Sequence, residues 1–167
     1  GMVVATAVMG KEGANEGDTL ANPTTWLVYD LLAFEERGEP ASVHTFAREQ
    51  HFSVDPNARI QETFTYSDGF GRVVLTKVQA EPGQVPGLPG TIDPRWVGTG
   101  RTLFNNKGNP VKQYEPYFSA TSAYESEAEI VQTGVTPILR YDSLDRLVQT
   151  DFPDGTFTKV EFDSWKQ

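Results

Sequence analysis

One turn signal returns along this chain, and it limits the fold more than any other feature. Asp142-Ser143-Leu144-Asp145-Arg146-Leu147-Val148 is matched 37 residues earlier by Asn105-Asn106-Lys107-Gly108-Asn109-Pro110-Val111. A further 37 residues back stands Asp68-Gly69-Phe70-Gly71-Arg72-Val73-Val74, and 33 before that Glu35-Glu36-Arg37-Gly38-Glu39-Pro40-Ala41. Each copy has an Asp, Asn or Glu, two free positions, then Gly or Asp, then a polar residue and an extended stretch. An aromatic precedes it directly at Phe34, Phe104 and Tyr141, and one place earlier at Tyr66.

The pattern has a physical meaning. An Asp or Asn side chain accepts hydrogen bonds from the backbone just ahead of it, and a glycine three residues on can take positive φ. Together they describe a type I turn closed by a left-handed residue, a common hairpin connection. Asp145 replaces the glycine in one copy, and Asp tolerates that region better than most residues. Glu35 is the poorest match, because its longer side chain makes the local bond badly. Pro153-Asp154-Gly155 is a second tight-turn signal.

The flanks read as strands. Thr63-Phe64-Thr65-Tyr66 and Lys159-Val160-Glu161-Phe162 alternate polar and apolar. Val73, Val74, Leu75, Ile138 and Leu139 supply aliphatic, mostly β-branched content. Trp26 to Phe34 is apolar enough for helix or strand, and the turn after it favours a strand. The fold class expected is all-β: an antiparallel β-meander of consecutive hairpins, laid out as a strip. Such a strip leaves edges and apolar faces open, so the isolated chain is expected to self-associate.

Fifteen glycines and 11 prolines in 167 residues suit turns and short elements. A net charge of −9 argues against a nucleic-acid partner, which needs clustered Lys and Arg. With no cysteine, disulfides, thiolate metal sites and Cys nucleophiles are excluded. No run reaches the roughly 20 apolar residues of a membrane span, and GMVVATAVMGK lacks the marks of a signal peptide. Gly1-Met2-Val3-Val4-Ala5-Thr6 resembles Gly71 to Thr76, and Phe162-Asp163 resembles Tyr141-Asp142. The chain is therefore expected to be a fragment of a longer repeat array.

No catalytic, cofactor or metal site is expected. His44 and His51 are spaced so that one segment cannot chelate a single ion with both. Glu125, Glu127 and Glu129 could gather calcium if extended, but a solvated acidic surface is the expectation. Neither a Gly-x-Ser-x-Gly elbow nor a phosphate loop occurs. Asp68 with Arg72, and Asp142 with Arg146, are expected to pair across their turns, which contributes little when exposed. The rival to a structural role is a carbohydrate- or cell-surface-binding β module, with Trp96, Tyr114, Tyr117 and Phe118 as a stacking surface.

Tyr141-Asp142-Ser143-Leu144-Asp145-Arg146, Pro153-Asp154-Gly155 and Phe162-Asp163 together resemble the YD repeat, also called the RHS repeat, with Asp145 departing from the usual Gly. Tyr66 to Arg72, Gln79-Ala80-Glu81-Pro82-Gly83, Trp96 to Arg101, Phe104 to Pro110 and Gly134-Val135-Thr136-Pro137 resemble the middle-to-C-terminal region of the B component of bacterial insecticidal toxin complexes. The resemblance implies a single RHS-like region over 1–167, forming part of a larger β-shell that holds a toxic polypeptide. It also implies that the chain is secreted within a larger toxin and has no catalysis of its own. Its expected partners are adjoining repeats and other toxin-complex components. Segments 10–23, 81–100 and 119–134 are expected to be loop insertions that lengthen the repeat.

Overall fold

A computed structural model describes residues 1–13, 16–131 and 134–163. The strands are β1 (Ala5–Thr6), β2 (Thr25–Asp30), β3 (Ala41–Arg48), β4 (Ile60–Ser67), β5 (Val73–Ala80), β6 (Arg95–Thr99), β7 (Thr102–Phe104), β8 (Pro110–Gln113), β9 (Tyr117–Ser119), β10 (Ile138–Tyr141), β11 (Leu147–Asp151) and β12 (Phe157–Lys159). Among the described residues two short helices, α1 (Ala33–Arg37) and α2 (Glu127–Ile130), interrupt them. The protein is an antiparallel β-meander of consecutive hairpins, with no closed barrel among the described residues.

The strip divides into two sheets. One runs β1-β2-β3-β4-β5-β6-β9, the other β12-β11-β10-β8-β7. The chain leaves the first sheet at Gly100, whose φ is +69°, and Arg101, which is buried. The segment after β8 then returns to the first sheet as β9 before β10 pairs with β8.

Three hairpins are closed by the same device. In the 68–72 turn, Asp68 N–H donates to the Arg72 carbonyl and Gly71 N–H to the Asp68 carbonyl. The Asp68 Oδ1 accepts from the N–H groups of Phe70 and Arg72, both at 2.9 Å. Asn105 and Asp142 repeat all four bonds with Lys107 and Asn109, and with Leu144 and Arg146. The closing residue is left-handed each time: Gly71 at φ +77°, Gly108 at +86°, Asp145 at +62°. Three residues after the closing position, each ladder slips by one. The residue left over is Val74, Val111 or Val148, and a bulge there sharpens the twist.

The fourth copy differs. Glu35 lies inside α1, and Gly38 (φ +71°) caps that helix, with Gly38 and Glu39 N–H groups bonding back to Phe34 and Ala33. This is a left-handed helix terminus, not the hairpin turn expected. The added methylene of Glu35 removes the carboxylate from bonding range, so the residues before Gly38 wind into a helix. The stretch from Trp26 to Phe34 is accordingly strand only as far as Asp30.

Two of the expected loop insertions hold regular structure. Segment 81–100 is irregular only to Pro94, because Arg95 to Thr99 pairs with β5 along its length. Segment 119–134 begins in β9 and carries α2, which a capping box between Ser126 and Glu129 initiates. In 10–23, Thr19 and Asn22 bridge to each other. Residues 14, 15, 132 and 133 of these segments lie outside the described residues.

The closing residue of the turn gives a direct test. Gly71→Ala forces a Cβ into the left-handed region and should lower stability by about 1–2 kcal/mol. Gly69→Ala, two residues away at negative φ and in open space, should be close to neutral. Urea midpoints of the two variants check the contrast.

Candidate functional site

The motif turns come at alternate connections, so they gather on one rim of the strip, and side chains lock each to the next. Arg72 pairs with Asp68 of its own turn at 2.7 Å and lies over the Phe104 ring, 4.0 Å from its centroid. Its Nη1 also reaches the Gly108 carbonyl at 3.4 Å. Asn109, in the equivalent place one turn along, donates to Asp145 at 2.9 Å, and Lys107 reaches Ser143 and Asp145. Tyr141, the aromatic before the next Asp, donates its hydroxyl to the Pro110 carbonyl. Arg146 pairs with Asp142 and covers Phe162, the aromatic before Asp163. Thus the residue after each closing position holds its own acid or the turn ahead, and Arg72 and Arg146 rest on the aromatic that opens the next motif.

The opposite rim carries the long connections, and one of them covers the first sheet. Register places Phe64, Lys77, Gly98 and Tyr117 in one row across β4, β5, β6 and β9. Segment 120–131 lies over this row. Tyr124 packs on Tyr66 and on Arg101, which donates to the Tyr124 hydroxyl. Tyr66 donates to the Ser122 carbonyl at 2.7 Å. Gly98 gives the space, since a Cβ there would stand 2.6 Å from the Tyr117 ring. Tyr66, Val74, Leu75, Tyr114, Tyr117 and Ile130 form the core beneath.

Lys77 lies at the centre with 0% exposure. Its ammonium meets Glu125 at 2.8 Å, the Ser119 hydroxyl at 3.0 Å and the Thr121 carbonyl at 2.7 Å. Burial pulls its pKa below the ordinary value, and the Glu125 carboxylate opposes the shift. Glu125 also accepts from Tyr117 and Ser119. A serine beside a lysine of lowered pKa is the pairing of a Ser–Lys nucleophile. Here both are sealed from solvent and the amine is bound to a carboxylate, so no substrate atom reaches Ser119.

The residues singled out from sequence are dispersed. His44 lies between the Phe46 and Phe64 rings, 3.8 Å from each centroid, and bonds Glu62. His51 bonds Asp18 at 2.9 Å. Of the three glutamates expected on a solvated surface, Glu129 stays exposed and caps α2, Glu127 stays partly exposed and pairs with Lys112, whereas Glu125 turns inward to Lys77. Among the described residues no cluster of His, Asp and Glu could hold a metal. Of the four stacking candidates, Trp96, Tyr114 and Tyr117 are buried, and Phe118 stays 40% exposed with Arg95 over one face of its ring. Sequence reasoning missed Lys77, whose only signal is a lysine at an inward position of an apolar strand, and Asp18.

Asp18 latches segment 16–18 onto the loop at 51–53. Its buried carboxylate accepts from the Thr24 hydroxyl, His51 and the Phe52 N–H. The Thr24 bond, ahead of those from His51 and Phe52, lowers its pKa to about 2 against the opposing effect of burial. A depressed carboxyl pKa adds stability above the unfolded value near 4, and that stability is lost as pH falls toward 2. Asp18→Asn should therefore melt below the parent protein at pH 6, and the gap should close by about pH 2 in thermal scans. For the lysine, Glu125→Gln strands a buried charge and should cost about 3–5 kcal/mol. Adding Lys77→Met should recover most of that loss, as chemical denaturation would read.

No protein-family model matches the chain, and no curated protein does. Solved structures do. A chain in the crystal structure of TcdB2-TccC3 matches at TM-score 0.77 and 25% identity, over 86% of this chain and 7% of that one. The same complex without its hypervariable C-terminal region matches at 0.67 and 28%, over 76% of this chain and 6% of that one. The Photorhabdus luminescens Tc holotoxin pore matches at 0.69 and 27%, over 76% and 6%. This chain thus spans less than a tenth of the chains it matches. Fold and sequence agree with the likeness carried by the Tyr-Asp turn signals: the protein resembles a segment of toxin-complex chains.

Proposed function

We propose that this chain is a wall segment of a toxin-complex shell built from YD/RHS-type repeats, a shell that encloses a toxic polypeptide and helps deliver it. The rim carries the reading. Each turn holds the next through the residue after its closing position, so the strip extends by adding turns and builds area, not a cleft. The core side chains that could do chemistry are spent on internal contacts, Lys77 and Ser119 foremost. The segment accordingly contributes no catalysis. It works with adjoining repeats and other toxin-complex components, and is secreted within the larger toxin. No described helix is long and apolar enough to cross a membrane. The carbohydrate-binding alternative has lost three of its four aromatics to the core.

Cryo-electron microscopy of the full-length protein that contains this segment, with its toxin-complex partner, tests the reading. Residues 25–159 should lie within a continuous wall, one sheet face toward an enclosed space. The C-terminal polypeptide should resist added protease until the shell is opened. A segment projecting from the outer surface, or a cargo cut at once, would reject the proposal.

A further inference from the structure

Turn tips normally carry Gly, Asn, Asp or Ser. The tip at 68–71 carries Phe70, 87% exposed. The exposed ring leans over Arg72, 5.3 Å from its guanidinium carbon, on the side facing the 105–108 turn. On the other side of the same turn is a mostly apolar groove of about 370 Å³ lined by Leu31, Phe34, Pro40, Ala41 and Gly69, with Ser67 and Asp68 as its polar residues. Leu31 and Phe34 are themselves 54% and 73% exposed. A protruding aromatic and an apolar recess therefore adjoin on one rim, with the Gly69–Phe70 peptide between them.

We propose that this rim is a self-association surface, on which the Phe70 ring of one copy seats in the α1 groove of a second copy related by a two-fold axis. Knob and recess share one edge, so a two-fold axis near Gly69 fills both recesses at once. That is the geometry of an isologous contact. An unrelated apolar peptide would fill the groove and still leave Phe70 in water, whereas a second copy covers both. Charge selects the orientation. The α1 side carries Glu35, Glu36 and Glu39 with Arg37 as its cation, whereas the 105–108 turn carries Lys107, which also meets Asp145 at 3.1 Å, and no acid of its own. The same axis near Gly69 sets α1 of one copy against the 105–108 turn of the other. A parallel arrangement would set acid on acid. The contact differs from backbone pairing at a sheet edge, since it needs no free N–H or C=O groups, and it stands apart from the wall reading.

Sedimentation velocity of the 167-residue chain over a range of concentrations tests it. A reversible dimer is expected, and Phe70→Ser should weaken it at least about tenfold with the circular dichroism spectrum unchanged. Lys107→Glu should weaken the dimer too, and adding Glu35→Lys and Glu36→Lys to that chain should restore it, because the axis pairs those positions. A monomer at every concentration would overturn the proposal. So would a dimer indifferent to Phe70→Ser and lost only when the edge strand β12 is disrupted.

Discussion

A single side-chain oxygen accepting two backbone N–H groups underlies this architecture. When Asp68, Asn105 or Asp142 takes the N–H groups two and four residues ahead, the loop can close in one way only. The left-handed residue then reverses the chain, and the slip at the following valine gives each hairpin the same twist. Because side chains alternate across a strand, that fixed closure also sets which residues face the core. A turn of another length would invert the strand after it. Tyr66 and Leu75 are inward together because the turn between them has this form.

The same closure explains why spacing varies while geometry does not. Successive motif turns share one rim and must stay in phase to interlock. The connections on the opposite rim meet no such demand, and chain length added there costs little closure entropy. Segments 49–59 and 81–94 lie on that free rim, and the chain leaves the end of β8 there to form β9 and α2. The two steps of 37 residues, against 21 from Asp142 to Asp163, are long connections added to a constant hairpin.

Much of this was open to reading from sequence, and the failures have definite causes. The three true turns, their left-handed closers, the Asp–Arg pairs and the meander all follow from local chemistry written in adjacent residues. Glu35 shows the limit of that reading: Gly38 marks a left-handed position correctly, but such a position ends helices as readily as it closes hairpins. The β6 strand inside 81–100 was hidden because Arg95-Trp96-Val97-Gly98-Thr99 gains its partners from β5 and β9, which lie far off in sequence. Glu125 looked like surface for the same reason, since nothing near it announces Lys77. Long-range pairing of charge leaves no local signal.

Lys77 shows how a β-strip of uniform turns obtains one specific covering. An aliphatic side chain at that position would accept any apolar segment. A buried ammonium accepts only one that brings a carboxylate and oxygen acceptors to the right places. Segment 119–125 does so with Ser119, the Thr121 carbonyl and Glu125 in seven residues. The pair adds little net stability, because desolvating both charges offsets their attraction. What it determines is register, since sliding the segment by one residue would leave the ammonium without its partner. The repetitive rim builds the sheet, and this one non-repeating charge pair selects the segment that closes over it.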